Sequence, residues 1–172
     1  TLLEYNSCRY HISQISSANS VDIIRERKNK VKFSCGVSIN NLSLNENDIG
    51  DFKTFLKLSP PLRTETDRNA LVQGLNDKTI DVIVSDHKPE DEENKRLTFA
   101  QAETGASGIE TLLPLSLELY HNGSVELETI IKALTSKPAE ILKINKGNLS
   151  IGNDADFCIV DINKPWVVRK DK

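Results

Sequence analysis

Ile80-Asp81-Val82-Ile83-Val84-Ser85-Asp86-His87 is the stretch that decides the fold. Its apolar run is nearly continuous, where a half-exposed strand would alternate, so it predicts a parallel strand buried on both faces. A carboxylate and an imidazole follow it directly. Upstream, residues 9–15 (RYHISQI) predict a strand, and Ser17-Ala18-Asn19-Ser20 offers caps for a helix with Val21 and Ile24 on its apolar side. Residues 31–37 (VKFSCGV) predict another strand, and residues 38–51 read as a polar, Asn-rich loop. Thr64-Glu65-Thr66-Asp67 predicts a capped, acidic first turn for a helix carrying Ala70, Leu71 and Leu75. A helix returning between strands implies parallel pairing.

Downstream, residues 88–96 are charged and predict a mobile loop. Ile109, Leu112, Leu113 and Leu117 repeat at helical spacing, with Pro114 placed near the first turn or at a kink. Leu127, Ile130, Ile131 and Leu134 form a second apolar stripe, and Pro138 is expected to open a short helix. Residues 155–160 predict a last strand. Strands alternating with helices give an α/β class with a parallel sheet. Three parallel strands alone would leave both outer edges bare, so the sheet reads as unfinished.

Composition narrows the function classes. Lys+Arg 22 against Asp+Glu 25 gives a net charge of -3, without a basic run longer than a pair, so no nucleic-acid partner is expected. The apolar stretches fall well short of the roughly 18 residues that span a bilayer, so no membrane association is expected and the location is read as cytoplasmic. Cys8, Cys35 and Cys158 are odd in number and widely spaced, which fits reduced thiols. With Thr at position 1 and no Met, the chain is expected to have lost its start or to be the downstream part of something longer.

In parallel α/β folds the loops after the strands converge, so polar residues at strand C-termini line the site. The readable ends are residues 14–16, 37–41 and 85–87. Asp86 stands out as a carboxylate directly after a buried strand, where its charge requires a partner, a metal or a proton. The alternative reading has it capping the following turn. Metal ligands are scarce. His11 and Gln14 are expected to point to opposite faces, His87 cannot share the direction of Asp86 in extended backbone, and His121 sits at a solvent-facing helix end. There is no Gly-x-Ser-x-Gly elbow, and Gly105-Ala106-Ser107-Gly108 lacks the lysine of a phosphate loop.

Several runs together carry a resemblance. Ser59-Pro60-Pro61-Leu62-Arg63, Thr64-Glu65-Thr66-Asp67-Arg68, residues 80–87, Gly108-Ile109-Glu110-Thr111 with Leu113-Pro114-Leu115, and Gly152-Asn153-Asp154-Ala155-Asp156 resemble, in order, the C-terminal half of the bacterial-type dihydroorotases of the amidohydrolase superfamily. The resemblance implies the C-terminal part of a (β/α)8 TIM barrel, strands six to eight with their helices, over residues 1–145. Residues 146–172 would be a remnant of the family's small β domain. It also implies zinc-dependent opening and closing of the dihydroorotate ring in pyrimidine biosynthesis, with Asp86 at the proton-shuttle position and as a retained candidate metal ligand.

The departures fall on the chemistry. Where the family has a strand-six histidine ligand, Tyr10-His11-Ile12-Ser13-Gln14 places Gln14, and a neutral amide is a poor zinc ligand. Ser59 stands for a substrate-contacting asparagine, Glu90 for a substrate-holding histidine, and Ile39-Asn40-Asn41 for Pro-His-His. Glu90 is expected to repel an acidic substrate. The remaining ligands of the family would lie upstream of Thr1. The chain alone is therefore expected to bind no cofactor and to be a non-catalytic, dihydroorotase-like pseudoenzyme. The alternative is one half of a split zinc enzyme. The partners this implies are an upstream barrel half, a second copy of the chain, or aspartate carbamoyltransferase.

Overall fold

The computed structural model describes residues 2–6, 8–165 and 167–169. After a short helix α1 (Leu2–Tyr5), the chain runs β1 (Tyr10–Ile12), α2 (Ala18–Arg27), β2 (Phe33–Ser38), α3 (Ile39–Ser43), α4 (Glu65–Asn76) and β3 (Val82–Val84). It continues through α5 (Glu92–Lys95), α6 (Leu112–His121), α7 (Leu127–Leu134) and α8 (Ser136–Leu142). The three strands form one parallel sheet in the order β1-β2-β3. The expected α/β class and parallel pairing are thus observed, although each outer strand is only three residues long.

Register explains the layering. Val37 pairs with Ile83, and the alternate residue Cys35 shares their face; all three join the core with Val21 and Ile24 of α2 and Leu71 and Leu75 of α4. On the opposite face His11 is paired with Ser34, and Gly36 with the buried Val82. Leu119 of α6 and Ile130 of α7 complete the core. Cys35 is fully buried, and its Sγ donates to the Thr79 carbonyl oxygen at 3.2 Å. Burial, with the nearby Asp81 charge, pushes its thiol up to about 11, whereas Cys8 and Cys158 are exposed.

The helix starts follow the expected chemistry. Ser17 accepts from the Ser20 amide to cap α2, and Thr64 accepts from the Asp67 amide to cap α4. Asp67 Oδ1 also accepts from the Ala18 amide at 2.8 Å, so one carboxylate serves the first turns of two helices. The Thr64 hydroxyl, then the Ala18 amide, hold its carboxyl below the usual aspartate range. A depressed folded value means that stability is fully present above the unfolded value of about 3.9 and is lost as pH falls through the folded one. The stability gap between the parent and Asp67→Asn is therefore expected to narrow as pH drops from about 6 to about 3, read by urea unfolding at each pH. A pH-independent gap would contradict this role.

Four expectations are corrected. Residues 38–51 are not merely loop: Ile39 and Leu42, three apart, drive α3 into the core, followed by a 3-10 turn at Glu46–Ile49. Residues 88–96 contain α5 and are laced to the body by lysines, as described below. Pro138 sits inside the first turn of α8 rather than opening it, where a missing amide is harmless. Residues 155–160 join no ladder among the described residues, because a strand exists only with a partner edge; Phe157 and Ile159 are exposed there. No helix among the described residues is long and apolar enough to cross a membrane.

Candidate functional site

The C-terminal ends of the three strands meet at one mouth. Gln14, two residues past β1, donates from Nε2 to Asp86 Oδ1 at 2.8 Å. Both side chains are half-buried, where such a bond is stronger than in water. Asp86 adopts φ 50°, a left-handed conformation that an aspartate tolerates better than most residues and that is worth a functional question. His87 turns elsewhere: its Nδ1 accepts from the Gly108 amide at 3.1 Å and the Ile109 amide at 3.4 Å. His11 bonds Ser34 Oγ through Nδ1 at 2.8 Å and takes no part in the Gln14–Asp86 contact.

The turn of residues 59–63 is tied to the same mouth from two sides. Asn41 Nδ2 donates to the Pro61 carbonyl oxygen at 3.1 Å, and Arg63 Nε donates to Ser16 Oγ at 2.9 Å. Ser59 itself is exposed and precedes a cis peptide bond to Pro60. Asn40 Nδ2, Asn41 Oδ1 and Ser43 Oγ are buried with no hydrogen-bond partner among the described residues. Orphaned groups of this sort are rare in native interiors and mark α3 as an unusual stretch of core.

Glu90 Oε1 stands 3.3 Å from Lys88 Nζ, with its side chain 17% exposed. The Lys88 ammonium offsets part of its negative charge. Three lysines lace the surrounding loop. Lys57 Nζ donates to the carbonyls of Ala100 (3.0 Å) and Ala102 (2.6 Å), Lys88 Nζ to Thr104 (2.8 Å), and Lys95 Nζ to Glu103 (2.7 Å) and Thr54 (3.2 Å). Burial holds the Lys95 ammonium below its usual range, against the opposing pull of Glu90.

The structure thus brings Gln14 and Asp86 together and leaves Ser59 and Glu90 outside their contact. The bonds of Asn41 to Pro61 and of Arg63 to Ser16, and the acceptor role of His87, escaped the sequence reading, since each depends on a partner some 20 to 47 residues away. As a metal site the mouth does not fit. Among the described residues no group of three or more His, Cys, Asp or Glu side chains converges, and the amide nitrogen beside Asp86 is a donor without a lone pair to give. The arrangement can accept hydrogen bonds at the free carboxylate oxygen and at Gln14 Oε1.

Comparison with known proteins gives a consistent picture. The profile of the amidohydrolase family matches residues 3–172. A dihydroorotase of Ehrlichia canis (strain Jake) is 43% identical over 160 residues, covering 92% of this chain and 36% of its own length. A dihydroorotase of Anaplasma phagocytophilum (strain HZ) is 40% identical over 172 residues, 99% of this chain and 38% of its own. Among solved structures, an L-hydantoinase (dihydropyrimidinase) from Arthrobacter aurescens superposes with a TM-score of 0.84 at 27% identity, over 90% of this chain and 36% of that one. The chain spans a little over a third of the length of each.

Proposed function

This chain belongs to the amidohydrolase family, and from that premise we propose that it is a dihydroorotase-like barrel segment without catalytic activity of its own. In this reading residues 1–145 supply barrel strands six to eight with their helices, and residues 146–172 belong to the small β domain. The hydrogen bond from Gln14 Nε2 to Asp86 Oδ1 carries the proposal. At the position where the family resemblance implies a histidine lone pair, this chain presents an N–H, and that N–H is directed at the carboxylate that would otherwise share the metal. Family members are generally metal-dependent, so a mouth with this donor set has lost the means to activate water.

The test is to incubate the purified chain with equimolar zinc, remove free metal by gel filtration, and assay both bound zinc and dihydroorotate hydrolysis. Neither is expected. Stoichiometric retained zinc with turnover would overturn the reading.

A second reading is favoured by two observations: β1 has no ladder partner on its outer edge among the described residues, and the chain covers 36% of the Ehrlichia canis relative. Here the chain is one half of a split enzyme whose other half supplies the remaining strands and ligands. Mixing it with the part of that relative which it does not cover would then give a stable complex that takes up zinc. Association without zinc uptake favours the first reading.

A further inference from the structure

The segment after Asp86 makes an arrangement that the loss of metal ligands leaves unexplained. Residues 105–108 return alongside residues 85–88: His87 and Ala106 form a parallel bridge, and the Lys88 amide donates to the Ala106 carbonyl oxygen at 2.9 Å. The approach is close enough to require glycine. A Cβ on Gly108 would lie 2.2 Å from the Ser85 carbonyl oxygen, and one on Gly105 would lie 2.4 Å from that of Lys88. Between these contacts His87 Nδ1 receives two main-chain N–H groups, from Gly108 and Ile109. A nitrogen that accepts from two donors must carry its lone pair, which places the ring proton on Nε2. Asp86 sits inside this clasp, left-handed, one residue from the ring and one from the Ser85 carbonyl that Gly108 covers.

We infer that His87 is the positioning residue of the mouth: with Nδ1 as acceptor it binds the 105–109 return against Ser85 and so fixes the turn from which Asp86 presents its carboxylate to Gln14. The inference rests on Asp86 being the mouth carboxylate of the reading above, and it is independent of whether zinc binds. His87 does not touch Gln14 in the contacts described; it acts through the backbone of Asp86. What the position requires is therefore an acceptor at the reach of Nδ1, not an imidazole as such.

NMR of the whole chain tests this. In the parent, long-range nitrogen–proton correlation is expected to show the Nε2–H tautomer of His87; an Nδ1–H tautomer would overturn the inference. His87→Phe keeps a ring and removes the acceptor, and His87→Asn puts Oδ1 near the place of Nδ1. In the phenylalanine variant the Gly108 and Ile109 amides are expected to exchange about ten-fold faster or more, and the Gln14 carboxamide resonances to move toward those of a free side chain. The asparagine variant is expected to restore both. A phenylalanine variant with an unmoved Gln14 signal, or an asparagine variant that restores nothing, would refute a positioning role. If the phenylalanine variant does not fold, the parent tautomer and the Gln14 signal of the asparagine variant still decide. No metal enters any of these readouts, so their failure is distinct from a failure of the zinc experiment.

Discussion

Replacing Gly36 by alanine is expected to part Gln14 from Asp86 and to lower stability by about 3 kcal/mol. Gly36 lies in β2 opposite Val82, and an added Cβ would stand 2.6 Å from the Ser13 carbonyl oxygen and 3.0 Å from Val82 Cγ2. The valine methyl can yield by a small rotation. The carbonyl cannot, because it is backbone, and two residues on the Ile15 amide donates to the Gly36 carbonyl oxygen at 3.0 Å, holding the segment against β2. Relief therefore requires residues 13–15 to move outward, and Gln14 moves with them. Urea unfolding gives the stability and the Gln14 carboxamide resonance gives the separation. An alanine variant within about 1 kcal/mol of the parent, with the Gln14 signal in place, would show that the strand end adapts where the packing says it cannot.

The second large effect is expected at Lys28. Its ammonium donates to the carbonyl oxygens of Lys78 (2.7 Å) and Thr79 (2.8 Å) and to Asp81 Oδ1 (2.8 Å), while Asp81 Oδ2 accepts from the Cys35 amide at 2.9 Å. One cation thus joins the end of α2 to the entry of β3, and through Asp81 to β2. The side chains are 25% and 17% exposed, so the group is neither a surface pair nor a fully dry one. Lys28→Met keeps the apolar stem and leaves a carboxylate and two carbonyls without their donor. We expect a loss of about 2–3 kcal/mol, seen as a fall of about 4–12 °C in Tm. Adding Asp81→Asn to the methionine variant should recover part of it, since the uncompensated charge is gone. A Lys28→Met variant as stable as the parent would reduce the contact to a surface ornament of the fold.

Much of this fold was legible locally because burial writes a pattern into a strand or helix. The run around Val82–Val84 is apolar on both faces, and the caps at Ser17 and Thr64 precede stripes that do pack inward. Asp86 was readable for the same reason: a carboxylate after such a strand needs a partner, and Gln14 is that partner. What escaped had no local signature. In α3 the only apolar residues buried are Ile39 and Leu42, beside buried asparagines whose type argues for a loop, so tertiary burial overrode propensity. Residues 88–96 read as charged and mobile until Lys88 and Lys95 are seen to spend their donors on the carbonyls of Thr104, Glu103 and Thr54. The acceptor role of His87 was invisible beside Asp86, because its two donors come from 21 and 22 residues away.

The silent thiol of Cys35 gives the molecule a built-in asymmetry for spectroscopy. With its sulfur buried and its proton tightly held, a maleimide dye at neutral pH meets only Cys8, just ahead of β1, and Cys158, in the exposed carboxy-terminal stretch. A donor and an acceptor fluorophore can thus be installed on the unaltered chain, turning the span between its opening strand and its tail into a ruler that any companion polypeptide must disturb.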